Sequence, residues 1–433
     1  MKAKFVTKLK GGSLYALLGQ AVFMGSNLLI FVILLKRLPQ EDFGIWGIYI
    51  TLISLVDGLR QGLLQNGLTR LLILRPQDEK PLLGSSLLIH FGIIAIASVG
   101  FYLGAGMLAS LWSMPELEPL LQHSWKSLLT LGTIQGLAML CFARQKSFSY
   151  LVQNLLYLAA LSGLLIYAVA ELKLSLLLLI DLQLLAIVPL LVVAIFQKQV
   201  IISLPRKAEL KELLSYGRYI AGTNIFSLLF QKSDLLMIGY FLNPVAVGLF
   251  HFATKLIQYV ELPLTALSQN IYPRLAASYR NEDVTQLKSE YSRSVLLLFV
   301  LILPAVITMV VFHKWVIGVL ATEEFFGSIP ILLILAISSV VKPLGRVSGM
   351  TLDAIGHPKV NFQLLVFSLA LNVGMNYWLI QTMGLIGAAI ATSTSILLTI
   401  ALGQWRIKKF LGFTPHLIVW MSFKNKIRYN FNQ

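Results

Sequence analysis

Residues 230–239 read FQKSDLLMIG, and they set Lys232 and Asp234 inside a stretch that is otherwise apolar. An ionisable side chain at the centre of a membrane helix costs on the order of 3 kcal/mol on insertion scales. The question is whether this stretch is a membrane helix at all, and the rest of the chain answers it. Of 433 residues, 57% are hydrophobic and 12% are charged, with a mean hydropathy of +0.78. Soluble domains average about 25% charged residues. Apolar runs of about 20 residues recur along the whole length. No large soluble domain fits between them, so the chain reads as an all-α polytopic membrane protein.

The runs predict twelve transmembrane helices, at 13–35, 43–64, 82–111, 118–142, 150–169, 175–196, 216–241, 244–271, 294–312, 329–352, 360–380 and 384–404. Most of the 35 lysines and arginines fall in the amino-terminal arm, the even-numbered loops and the carboxy-terminal tail. Only Lys36, Arg37, Lys173 and Lys314 fall on the opposite side. Cations gather on cytoplasmic loops, so both termini are expected in the cytoplasm. The same placement explains the net charge of +16 without nucleic acid, since no basic domain with interleaved aromatics exists. The single cysteine, Cys141, excludes an internal disulfide framework and a Cys-clustered metal site. It reads as a small buried residue. MKAKFVTKLK resembles a signal-peptide start, but the apolar stretch after it is too long for a leader, so it reads as a retained first helix.

An even number of spans divides into two six-helix lobes. Arg37–Leu52 (RLPQEDFGIWGIYITL) lies over Phe241–Leu256 (FLNPVAVGLFHFATKL), matching Leu38 with Leu242 and Gly44 with Gly248. Both are tight turns between the first two helices of a half. The parity is the same in each half, which gives a parallel repeat and the architecture of two bundles about a central cleft. The expected limits are an amino-terminal lobe at 1–196, a basic cytoplasmic linker at 197–215, a carboxy-terminal lobe at 216–404 and a basic cytoplasmic tail at 405–433.

Six cations fall inside the spans: Arg60, Lys126, Lys232, Lys255, Lys342 and Arg346. Four acids accompany them: Asp57, Asp181, Asp234 and Glu261. At helical spacing, Asn224, Ser227, Gln231 and Asp234 make one polar stripe in the seventh span. His251, Thr254, Gln258, Glu261, Thr265 and Ser268 make another in the eighth. Lys342 and Arg346 share a face of the tenth, Asp57 and Arg60 stand at i, i+3 in the second, and the eleventh adds Asn372 and Asn376. Such faces cannot meet lipid. Two readings are open. The groups line one hydrated, cationic central cavity into which Asp234 points, or they form buried ion pairs that fix helix register. A cationic cavity suits phosphate oxygens, and a hydrated one suits sugar.

The segment Lys232–Ala276, KSDLLMIGYFLNPVAVGLFHFATKLIQYVELPLTALSQNIYPRLA, resembles the O-antigen-type polysaccharide-unit flippases of the multidrug/oligosaccharidyl-lipid/polysaccharide exporter superfamily. LPQEDFGIWG is similar to that family's first hairpin, and GHPKV (Gly356–Val360) to its turn between helices ten and eleven. The resemblance implies alternating access between two six-helix lobes and transfer of an undecaprenyl-pyrophosphate-linked oligosaccharide to the outer leaflet of a bacterial inner membrane. Arg60, Lys126, Lys232, Lys255, Lys342 and Arg346 would then bind substrate. A counter-moving proton or sodium ion would supply the energy, with Asp234, Glu261 and Asp57 as candidate carriers. A polysaccharide polymerase and chain-length proteins would be partners. No cofactor is implied, and no P-loop is present. The alternatives are export of a lipid II or drug substrate, or a polysaccharide polymerase or ligase. Drug cations call for an acidic cavity, whereas bases outnumber acids at depth here. An enzyme calls for a large external loop, and the external connections at 112–118 and 313–328 are short. Pro189, Pro263, Pro304 and Pro343 are candidate bending points.

Overall fold

A computed structural model describes residues 2–197, 199, 203–280 and 284–412. The tail beyond Gly412, Lys198 of the expected linker, and the side chains of the amino-terminal lysines lie outside the described residues. The chain folds as two compact units, residues 1–228 and 229–433.

The first unit holds α1 (Lys2–Arg37), α2 (Gln40–Leu74), α3 (Glu79–Leu111), α4 (Leu117–Gln122), α5 (Ser124–Ala143), α6 (Ser147–Glu171), α7 (Leu176–Ala186) and α8 (Val188–Phe196). The first part of α9 (Lys207–Phe241) completes it. Helix α1 packs along α6, and α2 packs against α3 and α5. The remainder of α9 opens the second unit, followed by α10 (Pro244–Val260), α11 (Leu262–Arg280), α12 (Val284–Leu320), α13 (Ile329–Ser339), α14 (Lys342–Ala354) and α15 (Pro358–Leu411). There α14 packs against α11 and α15, and α13 against α10 and α15.

Eight helices among the described residues are long and apolar enough to cross a membrane, and the pair Glu323–Ser339 and Lys342–Ala354, bent by 47°, makes up to nine. Helix α9 is not among them, because Gln231, Lys232 and Asp234 interrupt its apolar run. The expected eighth span is absent too, because the chain is divided at Glu261 into α10 and α11. Helix α15 covers both expected last spans. Gly384 interrupts it at φ +60°, ψ −136°, a conformation open to glycine and little else. A Cβ on Gly387 would strike the carbonyl of Leu379. Residues eight apart in a straight helix lie about 12 Å apart, so the chain must turn back on itself here.

Proline decides where other spans break. Pro189, Pro263 and Pro343 each sit second in α8, α11 and α14, where the missing N–H would have had no helical partner. Pro304 differs from that expectation. It stays inside α12, whose interruption comes at Phe312. The turn before α10 is built as its sequence dictates. The Asn243 side chain accepts a hydrogen bond from the Ala246 N–H at 2.8 Å, with Pro244 first in the helix.

The segment expected as a linker is helical from Lys207 and continuous with the seventh span. Glycines hold it against α2. A Cβ on Gly62 would strike the backbone of Ala221, and one on Gly217 would strike the backbone of Leu63. Small residues that let two backbones touch are the usual adhesive between membrane helices. The ion pair between Arg75 and Glu212 closes the same seam at its end. Cys141 is 1% exposed, with its thiol 3.5 Å from Gln153 Oε1. Phe196 and Leu103, by contrast, are 82% and 78% exposed, as lipid-facing side chains are.

Candidate functional site

In the first unit, both cations at depth have their own carboxylate. Arg60 Nη2 and Nε donate to Asp57 Oδ1 at 2.6 and 2.8 Å, and Gln61 Nε2 donates to Asp57 Oδ2 at 2.7 Å. The pair is buried. It arises from sequence alone, since residues three apart on a helix are neighbours. Lys126 Nζ lies 2.6 Å from Asp181 Oδ1, which ties α5 to α7. Only folding could match those two. Arg60 also borders a cavity of 240 Å³ that is otherwise mostly apolar, with Ser86, His90 and Thr133 as its other polar walls. Asp57→Asn leaves the buried Arg60 without its carboxylate and is expected to destabilise this unit by about 3–5 kcal/mol. Thermal melting of the purified protein checks this, and an unchanged midpoint would show that the pair contributes nothing.

In the second unit, two broken spans meet at their breaks. Glu261 closes α10 and Lys342 opens α14. Lys342 Nζ lies 2.5 Å from Glu261 Oε1, and Ser339 Oγ donates to the same oxygen at 2.5 Å. One turn along α14, Arg346 Nε donates to Ser268 Oγ at 3.0 Å, and its contact is with a hydroxyl rather than a carboxylate. Glu261, Lys342 and Arg346 border a cavity of 360 Å³ together with Gln231, Asn361 and Thr399. Its polar groups come from α9, the end of α10, α11, α14 and α15.

Asp234 is not on that cavity. The sequence placed it on one stripe with Asn224 and Gln231, pointing into a cavity. The structure distributes the stripe instead. Asn224 donates to the Gly58 carbonyl at 3.3 Å, Gln231 borders the cavity, and Asp234 is 4% exposed in a cluster of its own. Asn376 Nδ2 donates to Asp234 Oδ1 at 2.5 Å, and Thr392 Oγ1 donates to Oδ2 at 2.7 Å. Asn376 Nδ2 also reaches Asn372 Oδ1 at 3.1 Å, and Ser233 donates to that oxygen at 2.8 Å. Asn376 Oδ1 and Asn372 Nδ2 are buried with no hydrogen-bond partner among the described residues. The two asparagines were legible as polar residues of the eleventh span. Thr392 was not, because nothing in ATSTS marks which hydroxyl faces an acid. Among the described residues, neither Lys232 nor Lys255 pairs with a carboxylate.

Two compact helical units with ionisable groups held inside apolar helices define an all-α membrane fold. A solved structure described as the inward-facing conformation of a multidrug resistance MATE family transporter of the MOP superfamily has that fold. It is 16% identical to this chain, with a TM-score of 0.74, over 91% of this chain and 98% of that one. This chain belongs to the family described as "Polysaccharide biosynthesis protein", which it matches over residues 33–330. Among its relatives is the probable low-salt glycan biosynthesis flippase Agl15 of Haloferax volcanii, 26% identical over 47% of this chain and 43% of that protein. Another is a putative O-antigen transporter of Shigella flexneri, 24% identical over 45% of this chain and 46% of that one. The matches span less than half the length of these curated relatives.

Proposed function

We propose that the protein flips a lipid-linked oligosaccharide, with undecaprenyl pyrophosphate as its carrier, from the cytoplasmic to the outer leaflet of a bacterial inner membrane. The observation that carries this reading is the set of polar side chains that Lys342 and Arg346 share on the wall of an otherwise mostly apolar cavity. A charged, hydrated headgroup needs a replacement for water inside the hydrocarbon, and Lys342, Arg346, Gln231, Asn361 and Thr399 offer donors for phosphate and sugar oxygens. The family and the names of the relatives support a glycan substrate. A multidrug transporter shares the fold, so the fold itself does not choose the substrate.

Arg60, Lys126, Lys232 and Lys255 complete the proposed substrate-binding set. Arg60 and Lys126 reach an anion only by exchange with Asp57 and Asp181. The lobes are taken as 1–196 and 216–404, with both termini cytoplasmic. The break at Glu261–Lys342 is the proposed point of bending during alternating access. Asp234, with Asn372, Asn376 and Thr392, is the proposed seat of the counter-ion, a proton or sodium. An unpartnered buried amide oxygen beside a carboxylate is the donor type that a hard cation takes. Glu261 and Asp57 are engaged with cations, so they serve only if those pairs open. Polymerase and chain-length proteins are expected to accept the product.

Deletion of the gene tests the function. Lipid-linked repeat units are expected to accumulate on the inner leaflet, and the surface polysaccharide should disappear. Normal surface polysaccharide in the deletion strain would sink the reading.

A further inference from the structure

A third cavity, of 730 Å³, lies within the first unit, between the carboxy-terminal part of α2 and the first turns of α9. Gly67, Arg70 and Leu71 form one wall. Lys211, Glu212, Ser215, Tyr216 and Tyr219 form the other. Tyr216 and Tyr219 are three residues apart and share a helix face. The Arg70 guanidinium sits 5.2 Å from the centre of the Tyr216 ring. A Cβ on Gly67 would approach that ring to 3.3 Å, so the glycine lets Tyr216 seat against α2. Arg218 lies 4.7 Å from the centre of the Tyr219 ring and donates to its hydroxyl at 2.9 Å. Tyr219 nevertheless remains 69% exposed, so it keeps a large free ring surface.

We propose that this groove is a saccharide-binding site that receives the sugar end of the lipid-linked substrate before it enters the membrane. The inference rests on the flippase reading and on the cytoplasmic orientation proposed above. The negative face of an aromatic ring attracts the weakly positive C–H face of a pyranose, and Tyr219 presents such a face. Sugar hydroxyls need both donors and acceptors. Lys211 and Arg70 supply donors, and Ser215 and the Glu212 carboxylate, whose Oε2 is already paired with Arg75, supply acceptors. Acidic sugars meet Arg70 and Lys211 directly. A bare phosphate or a phospholipid headgroup would use the cations but has no use for the tyrosine faces or for the Glu212 carboxylate. The volume falls within the roughly 300–1,000 Å³ of ordinary ligand sites.

The test measures binding to the full-length protein in phosphatidylcholine nanodiscs. Two probes are compared, lipid-linked repeat units extracted from the deletion strain and bare undecaprenyl pyrophosphate. Y219A is expected to weaken binding of the sugar-bearing lipid about tenfold, a loss of stacking size, and to leave the bare lipid unchanged. Y219F keeps the ring and is expected to bind as the parent does. Equal weakening of both probes, or of neither, overturns the proposal. So does a Y219A defect that appears only when cardiolipin is added to the nanodiscs, because the groove would then hold a phospholipid. If the parent protein binds neither probe, the flippase reading itself fails. If it binds the sugar-bearing lipid and Y219A does so equally well, only the groove is wrong.

Discussion

K342E is expected to abolish surface polysaccharide, with at least a tenfold loss of flipping. The substitution sets a second carboxylate against Glu261 at the junction of two broken spans, where Lys342 now lies 2.5 Å from it. Both side chains are largely shielded, at 27% and 21% exposure, so solvent screens the repulsion only in part. Breaking a buried pair costs about 3–5 kcal/mol, and this one belongs at the low end. Loss of protein from the membrane would give the same phenotype, and the reciprocal swap E261K/K342E separates the two causes. The swap restores the ion pair and is expected to restore the amount of protein in the membrane. It moves the cation from α14 to the end of α10, away from Arg346 on the next turn. Surface polysaccharide should therefore stay low if Lys342 and Arg346 bind the headgroup together. Full recovery by the swap would reduce Lys342 to a structural partner of Glu261. Normal polysaccharide in K342E alone would remove it from the mechanism.

The second large effect is expected from D234N. Asp234 is buried among the amides and hydroxyl of Asn372, Asn376 and Thr392. Its two oxygens accept from neutral groups, and among the described residues it forms no ion pair that the substitution would break. Asparagine has nearly the same shape, so the fold should be kept and the melting temperature should hold or rise. Transport should fall at least tenfold, because the proposed counter-ion loses its charged ligand. Proteoliposomes containing the parent are expected to flip substrate faster under an imposed sodium or proton gradient, and D234N should not respond to either. A D234N protein that accelerates as the parent does would place the coupling elsewhere.

Several of these groups were visible in the sequence and several were not. Asp57 and Arg60 pair within one helix, so their spacing already held the contact. Lys126 and Asp181 are 55 residues apart, and Lys342 and Glu261 are 81 apart. Spacing carries nothing about partners so far removed, and a count of cations at depth cannot tell a free one from a paired one. Asp234 was misplaced for a related reason. Helical periodicity puts it on the face of Asn224 and Gln231, but it does not say that α15 would cover one end of that face with amides. Tyr216 and Tyr219 carried no signal of their own, because they open the expected seventh span and aromatic residues are ordinary at the edge of a membrane.

Composition and the apolar repeat were sufficient for the helical membrane class. Burying backbone polar groups in hydrocarbon allows few other solutions, and that constraint acts locally along the chain. Proline positions likewise settled three breaks, at residues 189, 263 and 343, because a missing N–H is a local property. Only the tertiary structure decided which buried charges are neutralised, where Asp234 lies, and that α9 leans on α2 through Gly62 and Gly217. Those are contacts between distant segments, set by how helices pack, and no single segment encodes them.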